Sequence, residues 1–102
     1  MPRTIELARF TVKRDEEEAF LAERDAMRTA AKENFEGFVD ETLVKLEDGS
    51  YLSVWVWAAR EHCDRAMAQV DQVASVTSWL AHMEEDISME FGVVVETGGE
   101  RD

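Results

Sequence analysis

The sequence is short of basic residues. Its 102 residues include eleven Lys and Arg against 23 Asp and Glu, a formal net charge of -12. Such a surface repels phosphate, so neither nucleic acid nor an anionic membrane surface is an expected partner. Cysteine is nearly absent. Cys63 stands alone, so no internal disulfide can form, and no CxxC or Cys/His cluster has zinc spacing. No apolar run approaches the roughly 18 residues of a membrane span. Met1-Pro2-Arg3 leads directly into a strand-like pattern without an apolar signal region, which makes the cytoplasm the expected compartment. There is no phosphate-binding glycine loop, since Gly98-Gly99 falls in a polar tail. Low-complexity linkers and internal repeats are also missing. One domain over residues 1–102 is therefore expected, with a core at about 4–97 and a tail at 98–102. The 45% hydrophobic content suits a globular chain.

What is present reads as alternating strands and helices. Thr4 to Lys13 alternates, with Ile5 and Leu7 on one face and Ala8, Phe10 and Val12 on the other. Asp15-Glu16-Glu17-Glu18 predicts a helix start rather than a metal-binding cluster, with Asp15 as cap and Glu18 in the capping-box position. The helix is expected to run to about Asn34. Ala19, Phe20, Ala26, Met27, Ala30 and Ala31 form its apolar stripe, and Glu23 and Asn34 interrupt that stripe. Gly37 ends the segment. Phe38 to Glu47 and Ser50 to Ala59 predict two strands joined by a two-residue Asp48-Gly49 hairpin. Trp55 and Trp57 share one face of the second of these strands; Val54 and Val56 share the other.

Arg60 to Asp86 predicts helix, but its two apolar stripes lie about 150° apart on an ideal helix. A break near Asp71 to Ser75 reconciles them. Ile87 to Val95 alternates as a last strand. The order is β-α-β-β-α(α)-β, the ferredoxin-like α+β pattern, an antiparallel sheet with helices on one face. The other sheet face also carries apolar residues such as Ile5 and Leu7. No helix remains to cover it, so a homodimer is expected.

At this level the chain resembles the antibiotic biosynthesis monooxygenase family of dimeric α/β barrels. The resemblance rests on Ala8-Arg9-Phe10-Thr11-Val12, Phe20 in an early helix and Gly37-Phe38 opening the second strand. It continues in Asp48-Gly49-Ser50-Tyr51, in Trp57 ending the third strand, and in Met89-Glu90-Phe91 to Val95. It implies two facing sheets in a homodimer and a pocket in each subunit between sheet and helices. Some members resemble cofactor-independent oxygenases of polycyclic aromatics, others degrade heme, and others act on quinone-like compounds. The heme-degrading branch expects an asparagine where this chain has Ala8 and a histidine where it has Ala66. Only Trp57 matches, so heme degradation is disfavoured.

Trp55 and Trp57 can line an aromatic pocket in which a flat substrate stacks, or they can be plain core. Phe10, Phe20 and Met27 carry the same two readings. Trp79 can close the pocket or pack at a dimer edge. Glu23 can serve as general base, its pKa raised by apolar neighbours, or can pair with Arg9, Arg24 or solvent. Asn34 can hydrogen-bond a substrate oxygen or simply finish the helix. Glu6 shares the face of Ala8 and Phe10 and is expected at the wet end of its strand. Arg9 points oppositely, toward the sheet interface, with Glu90 or Glu41 as partner. His62 and His82 are expected on solvated helix surface, and Cys63 as a buried structural thiol. The expected activity is a small cofactor-independent monooxygenase of an aromatic or quinol-like metabolite, using no cofactor and no metal. The alternative is a non-catalytic small-molecule-binding or regulatory dimer of the same fold.

Overall fold

Tyr51 to Trp57 alternates between buried and half-buried without exception. Tyr51, Ser53, Trp55 and Trp57 face the interior, and Leu52, Val54 and Val56 face away. A run of β-branched and aromatic residues with period two does this when each face meets a different environment. The computed structural model describes residues 2–96; the tail expected at 98–102 lies outside them. The strands are β1 (Thr4–Val12), β2 (Phe38–Lys45), β3 (Tyr51–Trp57) and β4 (Met83–Val93). The helices are α1 (Glu17–Ala22), α2 (Arg24–Asn34), α3 (Arg60–Gln69) and α4 (Ala74–Leu80). The sheet order is β2-β3-β1-β4 with every neighbouring pair antiparallel, which is the ferredoxin-like arrangement.

Four local expectations are corrected. The first helix is two, broken at Glu23, and α1 is preceded by a 3-10 turn at Arg14–Glu16. Asp15 makes no capping hydrogen bond there. The hairpin loop has three residues rather than two. Leu46 N–H donates to the Ser50 carbonyl (2.8 Å) and Gly49 N–H to the Leu46 carbonyl (3.0 Å), with Gly49 at φ 92°. That is a turn closed by a left-handed glycine, and Asp48 Oδ1 steadies it by accepting from Ser50 N–H at 2.9 Å. The last strand begins at Met83, so Met83 to Asp86 is extended, not helical. Pairing with β1 overrides the local helical pattern there.

The break expected in the second helical region is present. A 3-10 turn, Val70–Gln72, separates α3 from α4. The core centres on Phe20, which stacks on Trp79 (4.6 Å between ring centroids, 17° between planes) and meets Phe10 edge-on at 5.8 Å. Trp79 Nε1–H donates to the Phe20 carbonyl at 3.0 Å. That carbonyl lies in the last turn of α1, where helix acceptors run out of helical partners. The break at Glu23 is thus tied down by α4. Fully burying side chains of this size stabilises the fold by roughly 1.5–3 kcal/mol each.

The face of the sheet away from the helices carries Ile5, Leu7, Leu52, Val54 and Val56, all half-buried, and Val44, 37% exposed. No described element covers it. Arg9 lies on this face but pairs with Asp48 (2.5 Å) and Ser50 Oγ (3.2 Å), not with Glu90 or Glu41.

Candidate functional site

Small residues open a space in the helix side of the sheet. Along β3 the inward residues are Tyr51, Ser53, Trp55 and Trp57; opposite them on β1 stand Phe10, Ala8, Glu6 and Thr4. Ala8 faces Ser53 across the ladder between bulky neighbours, and Ala66 of α3 lies above. The result is a cavity of about 400 Å³, within the range of small-molecule sites. Phe10, Trp55 and Trp57 line its floor, and the two tryptophans are nearly parallel with ring centroids 6.0 Å apart. Phe35, Val70, Val76 and Leu80 contribute to the helix side. The rim carries Met67, Met83, Met89, Glu84 and Asp86. β4 is an edge strand and mostly exposed, so the cavity opens along it.

Glu6 is the buried carboxylate of this cavity, 8% exposed. It does not sit at a wet strand end as expected. Trp57 Nε1–H donates to its Oε1 at 3.0 Å, and the Cys63 thiol approaches the same oxygen at 3.5 Å. Its Oε2 receives no hydrogen bond among the described residues. Burial, and then the neighbouring Glu6 charge, push the Cys63 thiol up to about 12. Cys63 is thus a neutral donor beside Glu6, not a nucleophile.

Ser53 is also held from behind. Its hydroxyl donates to Glu41 Oε2 at 2.6 Å, and Glu41 accepts from Arg24 Nε at 2.8 Å. Arg24 also donates to the Glu41 backbone carbonyl at 2.8 Å. Ser53 has no exposed surface, so its hydroxyl, committed to Glu41, packs within the cavity floor. The floor therefore offers one acceptor, Glu6 Oε2, between aromatic walls.

The residues singled out from sequence divide into three groups. Phe10, Trp55 and Trp57 line the cavity. Phe20, Met27 and Trp79 are fully buried in the adjoining core and do not line it. Glu23 and Asn34 lie elsewhere. Asn34 is exposed, and its Nδ2 donates to the Ala30 carbonyl at 2.8 Å, finishing α2. The Glu23 carboxylate, 38% exposed, accepts from Ser78 Oγ at 2.9 Å and meets His82 Nε2 at 3.0 Å. The hydrogen bond from His82, then that from Ser78, hold its pKa below the usual carboxylate range; the rise expected from apolar neighbours is reversed.

Neither histidine is a solvated surface residue. His82 is 14% exposed and bridges Glu16 (2.7 Å to Nδ1) and Glu23. Those two carboxylates, Glu16 first, raise its pKa above the ordinary 6.5. The His62 ring packs on Gly37, where an added Cβ would lie 2.1 Å from its Cγ; Gly37 also holds φ 85°. Glycine is required there on both counts. Glu6 was legible as the third member of the inward Glu6-Ala8-Phe10 face. Glu84 and Asp86 carried no such signal, because strand bulges set their direction.

Ala8 and Ala66 both line the cavity and offer a heme iron no nitrogen or oxygen ligand. Among the described residues no group of three His, Cys, Asp or Glu is placed to hold a metal ion, and no helix is long and apolar enough to cross a membrane.

Solved structures share this fold over nearly the whole chain. SnoaB, a cofactor-independent oxygenase from Streptomyces nogalater, is 25% identical with a TM-score of 0.61, and the match covers 100% of both chains. A Caulobacter crescentus protein provisionally named an antibiotic biosynthesis monooxygenase is 18% identical with a TM-score of 0.72, over 93% of this chain and 92% of that one. A dimeric ferredoxin-like protein from an uncultured marine organism is 13% identical with a TM-score of 0.71, over 99% and 95%. No family model matches the chain, and no curated protein is significantly similar to it. The fold is the one carried by antibiotic biosynthesis monooxygenases, in agreement with the resemblance read from the sequence.

Proposed function

We propose that the protein is a small cofactor-independent monooxygenase of an aromatic or quinol-like metabolite, working as a homodimer. The observation that carries the reading is the aromatic-floored cavity with the buried Glu6 carboxylate turned into it. The likeness to SnoaB supports it. In this reading Trp55, Trp57 and Phe10 hold a flat ring, and Glu6 Oε2 takes the proton of its hydroxyl. Trp57 and Cys63 fix the other carboxylate oxygen, so the base keeps one orientation. Glu6 replaces Glu23 as the proposed base, because the Glu23 carboxylate is engaged by His82 and Ser78 away from the cavity. The electron-rich phenolate then reacts with dioxygen. A phenol with hydrogen at its para carbon and one dioxygen balance to a para-quinone and one water, so the substrate supplies every electron. The apolar sheet face supports the homodimer, in which two sheets cover one another as in a dimeric barrel.

The test is oxygen uptake by metal-stripped protein offered naphthols or similar polycyclic phenols, with quinone appearing in equal amount. Glu6→Gln should lose about a hundredfold or more of turnover, with an unchanged circular dichroism spectrum. Glu23→Gln should turn over as the parent does. Ring binding with no uptake across the panel would refute the oxygenase reading and leave the non-catalytic binding module.

A further inference from the structure

Three carboxylates and no cation line the cavity. Glu6 is at its floor, Glu84 and Asp86 are at its rim, and no Lys, Arg or His is among the lining residues. The rim pair is there by construction. Thr4 to Arg9 of β1 pair with Val93 to Ser88 of β4 in one register, which shifts between Arg9 and Phe10 and again between Thr11 and Val12. Had the first register continued, Asp86 would face Thr11 on the opposite side of the sheet. The shift sets Asp86 opposite Phe10 instead, on the cavity side, and the second shift leaves Glu84 unpaired beside it. Bulges re-aim side chains in this way and recur beside binding sites. Neither carboxylate forms an ion pair among the described residues. Glu6 adds a second mark of a ligand: it lines the cavity, is more than nine-tenths buried, and its Oε2 receives no hydrogen bond among the described residues.

From this arrangement we infer that the cavity selects an aromatic ligand bearing a protonated amine, with the ring on Trp55 and Trp57 and the ammonium between Glu84 and Asp86. The inference rests on the cavity being the ligand site, as above, and specifies the charge of what enters it. Like charges gathered at one rim repel each other, and a cation relieves that repulsion. The net charge of -12 draws cations toward the opening, whereas a carboxylate-bearing ligand meets repulsion at the rim and floor alike. The methionines of the rim are flexible and polarizable, and they accommodate ring edges of varied shape.

The test compares three ligands of one shape: naphthylmethylammonium, naphthylmethanol and naphthoate. Binding to the intact protein is followed by calorimetry and by quenching of tryptophan fluorescence, at low and high salt. The amine should bind about tenfold or more tighter than the alcohol at low salt, and naphthoate more weakly than either. The amine's advantage should shrink with salt. In the exposed double variant Glu84→Gln/Asp86→Asn the amine-to-alcohol ratio should fall close to one. Equal affinity for amine and alcohol, a preference that survives in the double variant, or no binding of any of the three would each overturn the inference. Oxygen uptake with neutral naphthols is a separate readout. It would persist if charge selection alone were wrong, and amine selectivity without uptake would sink the oxygenase reading alone.

Discussion

The Arg24–Glu41–Ser53 chain permits a sharp test of how the cavity floor is held. Glu41 has no exposed side-chain surface, whereas Arg24 keeps 26% of its own. Removing Arg24 alone, as Arg24→Met, strands a buried carboxylate with only the Ser53 hydroxyl as partner. Breaking a buried pair from one side typically costs 3–5 kcal/mol. Partial exposure of Arg24 admits water to that end, which lowers the expected cost to about 2–4 kcal/mol. Replacing both ions, Arg24→Met with Glu41→Leu, removes the stranded charge. It should cost about 1–2 kcal/mol, chiefly the orphaned Ser53 hydroxyl and the Glu41 carbonyl that loses Arg24. The double variant should therefore be more stable than the Arg24 single variant. The assay is urea unfolding followed by far-ultraviolet circular dichroism, fitted by linear extrapolation, with the m-value checked for constancy. Additive single costs, with the double variant the least stable of the set, would refute the view that Glu41 is an ion whose burial depends on Arg24.

Two further outcomes are expected. His82 should titrate by NMR above 6.5. A histidine whose pKa is raised on folding contributes stability fully present below its unfolded value and lost as pH rises through its folded value. Glu23 has the opposite sign: its contribution is present above the ordinary 4.5 and lost as pH falls through the lowered value. The urea midpoint should thus decline on the alkaline side of pH 6.5, and less so in His82→Gln; a His82 pKa at or below 6.5 would contradict the bridging geometry. For the sheet face, sedimentation at micromolar concentration should give a dimer, and Val54→Arg, centred on that face, should give a monomer of unchanged secondary structure. A parent protein that sediments as a monomer would remove the dimer.

Much of this architecture was legible because it is local. The period-two alternation of Tyr51 to Trp57 needs only a sheet with two different faces. The two apolar stripes of residues 60–83 could not share one helix, and the 3-10 turn at Val70–Gln72 relieves that conflict. Ile5, Leu7 and Val54 announced an apolar face with nothing in the chain to cover it. The candidate site was legible only in its walls. Trp55, Trp57 and Phe10 face the cavity because their strand faces do.

What the sequence by itself determined, then, is the order of elements and which strand faces turn inward, since both follow from nearest-neighbour periodicity and turn chemistry. The tertiary structure decided where the carboxylates point. Glu23 and His82 are 59 residues apart and meet at 3.0 Å; no local pattern encodes that contact, and it takes Glu23 away from the cavity. Glu6 becomes a buried acceptor because Trp57 and Cys63, 51 and 57 residues away, converge on one of its oxygens. Asp86 enters the cavity because a bulge against β1 reverses its face. A one-residue shift in strand pairing turns a side chain through the sheet, and the choice of register belongs to the pairing of two strands rather than to either strand alone.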